Sequence, residues 1–127
     1  MTIGIDTNSV WSLVGDNEEI DRRVGPFGSP LVPLPVLAES HFAVLNSRRR
    51  AENRTRLDDF LARAVVPPLT TETARLYAEI RYQLKLKGRP IQMNDMWIAA
   101  VCLEHNVPLL TRDSDFDNVD GLVVVHW

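Results

Sequence analysis

The sequence predicts an α/β fold in which a central parallel sheet is covered by helices on both faces, and three observations predict it. Strand-length apolar runs alternate with longer segments of helical periodicity. The chain has 127 residues, 45% hydrophobic and 24% charged, close to globular averages and enough for one domain (1–127) with one sizeable core. No internal repeat or low-complexity linker divides it.

Residues 3–6 read as a short buried strand ending in an acid, with Thr7, Asn8 and Ser9 as capping residues before a helix carrying Val10, Trp11, Leu13 and Val14. A second helix is predicted over residues 18–24, closed by the turn residues Gly25, Pro26, Gly28, Ser29 and Pro30. Leu31 and Val32 form a second, very short strand. From Pro35, residues 36–45 read as a helix that is apolar almost all round and so largely buried. Residues 51–64 carry Leu57, Phe60 and Leu61 on one stripe, an amphipathic helix, and Val65 and Val66 form a third strand. Thr70 or Thr71 caps a long helix through Ala74, Tyr77, Ala78, Arg81 and Leu84 to Gly88. Asn94 caps a helix over residues 95–105. Residues 107–110 form a strand that gives way to Thr111, Arg112, Asp113, Ser114, Asp115 and Phe116, and residues 122–125 close the sheet.

Composition narrows the function. The net charge of −3 is not that of a polycation that coats nucleic acid. Of the 14 basic residues only Lys85 and Lys87 are lysines; the rest are arginines, including Arg48, Arg49, Arg50, Arg54 and Arg56, and arginine is the side chain that forks onto phosphate and carboxylate. The single cysteine, Cys102, lies in an apolar run where a free thiol packs as a small hydrophobe, which fits a reducing compartment. No signal-like N-terminus and no membrane-length apolar run are present, so a soluble, cytoplasmic protein is expected.

Two helices each turn an acid inward. Stepping about 100° per residue from Asp95 puts Ala99 and Cys102 on either side of it, while Glu104 falls on the opposite, polar side. The same projection places Glu39 between Phe42 and Ala43. An isolated buried carboxylate costs several kcal/mol, so each needs a cation, a set of donors or a proton. Asp6 and Asp113 sit at the C-terminal ends of two predicted strands, the edge of a parallel sheet where ligands bind at a topological switch point. Clustered carboxylates are best relieved by a hard divalent ion, and oxygen-only ligands favour Mg²⁺ or Mn²⁺ over zinc. His41, His105 and His126 have no zinc-like spacing. The implied reaction is phosphodiester hydrolysis by an activated water.

With Ile-Asp6-Thr-Asn near the start, Leu-Ala-Glu39 on the third helix, Asn-Asp95-Met-Trp-Ile-Ala-Ala, and Leu-Leu-Thr-Arg-Asp113-Ser-Asp115-Phe before the last strand, the chain resembles the PIN-domain family, and within it the VapC toxins of type II toxin–antitoxin pairs. The resemblance implies a three-layer α/β/α fold, Mg²⁺-dependent endoribonuclease activity on an RNA such as tRNA or rRNA, a homodimer, and inhibition by a cognate antitoxin. It makes Asp6 and Asp95 the direct metal ligands, with Glu39 and Asp113 completing a quartet. Asp115 competes with Asp113 for the last place, and Thr7, Asn8 and Thr111 become orienting groups. The short, proline-flanked strand at Leu31 departs from the longer β-run of the family.

More ordinary readings stand beside these. Asp6 also fits a helix N-cap, Asp95 a first-turn acid favoured by the helix dipole, and Asp113 and Asp115 turn residues. Arg48, Arg49 and Arg50 fit a solvated helix C-terminus as well as an RNA track or a surface for an acidic partner, and Trp11 and Trp97 fit core or dimer anchors better than base-stacking platforms. Glu18, Glu19, Asp58, Asp59, Asp117 and Asp120 read as surface. A phosphoacceptor receiver domain also clusters acids at strand ends but needs a lysine near a late strand, and none follows Lys87. A noncatalytic interaction module of the same fold is the third alternative.

Overall fold

A computed structural model of the chain describes residues 2–127. The order of elements is β1 (Gly4–Ile5), α1 (Thr7–Val14), α2 (Glu18–Val24), α3 (Leu34–Leu45), α4 (Arg50–Leu61), α5 (Thr71–Lys87), α6 (Met93–Glu104), β2 (Leu109–Thr111), a short 3-10 helix (Ser114–Asn118) and β3 (Val124–His126). The sheet runs β1-β2-β3, all parallel, with Gly4 opposite Leu109 and Leu110 opposite Val125.

The strands expected at Leu31–Val32 and Val65–Val66 are instead single parallel bridges that extend the sheet beyond β1. Proline stops each ladder. Leu31 N–H donates to the Ile3 carbonyl and Ile5 N–H to the Leu31 carbonyl, and the next donor in a parallel register is residue 33, a proline. Likewise Val65 N–H donates to the Pro30 carbonyl and Val32 N–H to the Val65 carbonyl, after which the register calls on Pro67. Pro33 then becomes the N-cap of α3 with Pro35 in its first turn, so the residue that ends the pairing also starts the helix that carries Glu39.

Ile3, Ile5, Val10, Ile20, Val36, Leu57, Ile98, Leu109, Leu110 and Phe116 form the centre of the core. α5 starts on a capping box between Thr70 and Thr73 and stops at Gly88, whose φ of 67° is the left-handed conformation glycine adopts freely. Against α6 it stacks Tyr77 on Trp97 with ring centroids 4.2 Å apart, which makes Trp97 an internal anchor. Trp11 is partly buried against the core, its indole Nε1 enclosed without a partner among the described residues.

Other local expectations also need correction. α3 is not largely buried: Val36, Ser40 and Val44 form its one buried stripe, while Phe42 is 66% and Leu45 50% exposed, because only one side of the helix packs on the body. α6 begins at Met93 with Gln92 as N-cap, so Asn94 lies inside the first turn. Arg49 and Arg50 stand at the start of α4, not at a helix C-terminus, and Arg49 and Arg56 both reach Glu52. Glu104 is not simply solvated; it accepts hydrogen bonds from the Thr70 and Thr73 hydroxyls and ties α6 to the N-terminus of α5.

Candidate active site

The chain leaves β1 first toward the Leu31 and Val65 bridges and returns on the other side as β2 and β3. The switch point therefore lies between the C-terminal ends of β1 and β2, where loops diverge and leave a crevice. Asp6 follows β1 directly and Thr111 ends β2. A recess of about 240 Å³ opens there, lined by Asp6, Thr7, Asn8, Glu39, Gln92 and Asp95, together with Ile98, Asp113 and Asp115. Five acids from four separate parts of the chain share this wall, with no lysine, arginine or histidine among the lining residues. Three roomier recesses elsewhere, one against Leu13, Val24 and Phe60, one against Leu84, Ile91 and Met96 and one against Phe27, Leu103 and Val125, carry no such cluster.

Each acid is held differently. Asp6 is 6% exposed and is the N-cap of α1: Oδ1 accepts from Ser9 N–H at 2.9 Å and Ser9 Oγ at 2.6 Å, and Oδ2 accepts from the Thr111 hydroxyl. The residues read as caps, Thr7, Asn8 and Ser9, are instead the first turn of that helix. Three donors satisfy most of a buried carboxylate's lone pairs and leave little rotational freedom. Glu39, midway along α3 where no capping role is open to it, accepts from Thr7 Oγ1 at 3.1 Å. Asp113 is the N-cap of the 3-10 helix and accepts from Asp115 N–H at 2.9 Å, while its own N–H donates to Thr111 Oγ1 at 3.0 Å. Thr111, fully buried, thus links Asp6 to Asp113.

Asp95 is the exception. It lies in the first turn of α6, where the helix dipole favours an anion. Even so its pKa is pushed up from 3.8 to about 6, by burial first and then by repulsion from Asp113, Glu39, Asp6 and Asp115. Burial and like charge outweigh the dipole. The Cys102 thiol, buried beneath the site, is raised to about 12 by burial and by Asp6, which makes it packing rather than a nucleophile.

Among the described residues no three of these side chains stand close enough to form a closed metal cage. The donor set is all oxygen and carries up to five negative charges in an open recess, which suits a hard divalent ion that keeps several of its waters and needs only one or two direct carboxylates. Ser9 and Gln92 also belong to the site's surroundings. The sequence offers Ser9 only as a capping residue at a helix start and does not single out Gln92, so only the fold brings either to the site.

The PIN domain family model matches residues 3–122. Ribonuclease VapC5 of Mycobacterium tuberculosis is 29% identical over 124 residues, covering 96% of this chain and 91% of that protein. Ribonuclease VapC2 of Rickettsia felis is 31% identical over 93 residues, 72% of this chain and 69% of that protein. Among solved structures, VapBC2 from Rickettsia felis bound to a DNA fragment from their promoter superposes with a TM-score of 0.89 at 24% identity, covering all of this chain and 99% of that one, and so shares its fold. The strand ends, the acids gathered at them and the sequence relatives agree: this chain belongs to the PIN-domain family, and its relatives there are VapC ribonucleases.

Proposed function

We propose that this protein is a divalent-metal-dependent endoribonuclease acting as the toxin of a type II toxin–antitoxin pair in the cytoplasm. The observation that carries this reading is the recess at the switch point, walled by five carboxylates without a neutralising cation. Kinship with VapC ribonucleases supports RNA as the substrate, tRNA or rRNA being the candidates, and the fold shared with VapBC assemblies supports a cognate antitoxin. A homodimer and the antitoxin would draw on the apolar surface of Phe42, Leu45, Tyr82, Leu86 and Met93. A single domain over 1–127 carries the activity.

Asp95 and Asp6 are the direct ligands of the ion, Mg²⁺ or Mn²⁺, in this reading. Among the described residues no hydrogen-bond donor offsets the charge of Asp95, so a cation relieves it most. Asp6 is held rigidly by Ser9 and Thr111, so binding costs it little freedom. When bound, the ion would supply Lewis-acid charge and make a water it holds more acidic than bulk water. Glu39 and Asp113 each have one oxygen engaged by Thr7 and Asp115 respectively; Glu39 Oε2 and Asp113 Oδ2 remain to orient the attacking water and take its proton. Water oxygen bonds to phosphorus, one ester P–O bond breaks, and solvent protonates the leaving oxygen. Asp115, at the outer rim, adds negative potential that raises local cation concentration.

Cleavage of total RNA by the purified protein, with Mg²⁺ or with EDTA, and by Asp95→Asn of verified fold, tests the proposal. Discrete cleavage is expected only from wild type with Mg²⁺. Cleavage that survives in Asp95→Asn overturns the mechanism, and a wild type that cuts no RNA in the absence of antitoxin makes the chain a noncatalytic member of its family.

A further inference from the structure

Trp127 lies beyond the stretch that the family model matches, yet it contacts two immediate neighbours of the acid site, Ser9 and Arg112. Its indole Nε1 donates to Ser9 Oγ at 2.9 Å. An indole nitrogen can only donate, so the direction of this bond is settled. Ser9, fully buried, then has one hydroxyl hydrogen to place, with Asp6 Oδ1 at 2.6 Å and the Leu110 carbonyl at 3.0 Å within reach. The shorter bond to a charged oxygen is the stronger. The result is a polarised chain, Trp127 to Ser9 to Asp6, in which each donor strengthens the next.

The second contact is made by the ring face. The Arg112 guanidinium carbon lies 4.7 Å from the centroid of the Trp127 ring. Arg112 stands in sequence between Thr111, which holds Asp6, and Asp113, so it is the cation nearest to the acids along the chain. None of the ion pairs found among the described residues includes it. Stacking on tryptophan gives the guanidinium a partner other than a carboxylate.

We infer that Trp127 is a positioning residue of the acid site: its N–H orients Ser9 and so the Asp6 carboxylate, and its ring holds Arg112 away from the acids that would otherwise be neutralised by it. This rests on the metal-site reading above. It is tested by calorimetric titration of the full chain with Mn²⁺, alongside thermal melts of every variant. Trp127→Phe keeps a ring for Arg112 but has no N–H, and is expected to raise the Mn²⁺ Kd about fivefold. Ser9→Ala raises it at least as far, and the double variant Ser9→Ala with Trp127→Phe no further than Ser9→Ala, because the indole acts through that hydroxyl. Trp127→Ala weakens binding beyond Trp127→Phe, and adding Arg112→Ala to it restores the Trp127→Phe value. The inference is overturned by a Trp127→Phe Kd within about twofold of wild type, whether or not the melting temperature falls, or by a loss that adds in full to that of Ser9→Ala. Wild type that takes up no Mn²⁺ overturns the metal site and this inference together, whereas equal binding by wild type and Trp127→Phe overturns the inference alone.

Discussion

Replacing Asp95 by asparagine removes an acid whose pKa the site raises, and the consequence for stability follows from linkage. In the folded chain Asp95 titrates at about 6 against a usual 3.8, so between those values the native state binds more protons than the unfolded state. A native state that binds more protons loses stability as pH rises. The penalty is absent below about pH 4, grows through about pH 6 and is complete above it. The rise from 3.8 to about 6 corresponds to about 3 kcal/mol, and solvent screening at this partly exposed group cuts it to about 1–2 kcal/mol. For a chain of 127 residues that is about 4–8 °C in melting temperature. The expected outcome is that metal-free Asp95→Asn, melted in EDTA, is more stable than wild type by this margin at pH 7.5 and indistinguishable from it near pH 3.5. Circular dichroism at the two pH values reads it directly. A variant no more stable than wild type at the higher pH would refute the claim that burial and mutual repulsion strain this carboxylate.

Metal uptake near pH 6 should release about half a proton per ion from Asp95, falling toward zero above pH 7.5, measurable by calorimetry in two buffers of different ionisation enthalpy. Thr111→Val, nearly isosteric, takes a donor from Asp6 and an acceptor from Asp113 N–H; a loss of about 2 kcal/mol in stability and about tenfold in metal affinity is expected from urea melts and metal titration. Thr73→Ala removes both the α5 capping box and a bond to Glu104, costing about 1–2 kcal/mol while leaving RNA cleavage unchanged, since neither feature reaches the recess. In Gly4→Ala the new Cβ meets Cys102 Sγ at 2.5 Å, an overpacking cost of about 1–3 kcal/mol that a second change, Cys102→Ala, should largely relieve in the same melts.

Much of this was legible in the residues. Asp95 between Ala99 and Cys102 on the helical projection is what α6 presents, both neighbours being fully buried, and the helix over residues 18–24 matches α2 at both ends. The site was legible because acids on apolar faces and at strand ends break the pattern that packing alone would write. Asp6, read as either a cap or a site acid, and Asp113, read as either a turn residue or a site acid, are both helix caps that also line the recess. A cap that directly follows a parallel strand lies by construction at the sheet's C-terminal edge, so one geometry serves both roles. The exposure of Phe42 and Leu45 was not legible, because periodicity reports which side chains are apolar and not how many neighbours surround a helix.

The sequence by itself determined the order of the six helices and the three paired strands, the α/β class and which acids fall on apolar faces or at strand ends, because alternation and misplaced charges are local patterns. Pairing and contact between distant segments were decided only by the tertiary structure. The two proline-stopped ladders depend on which donor falls opposite which carbonyl, and the Trp127–Ser9–Asp6 chain joins residues 118 positions apart. Such contacts depend on the register and packing of the whole sheet, which no stretch of the chain encodes alone.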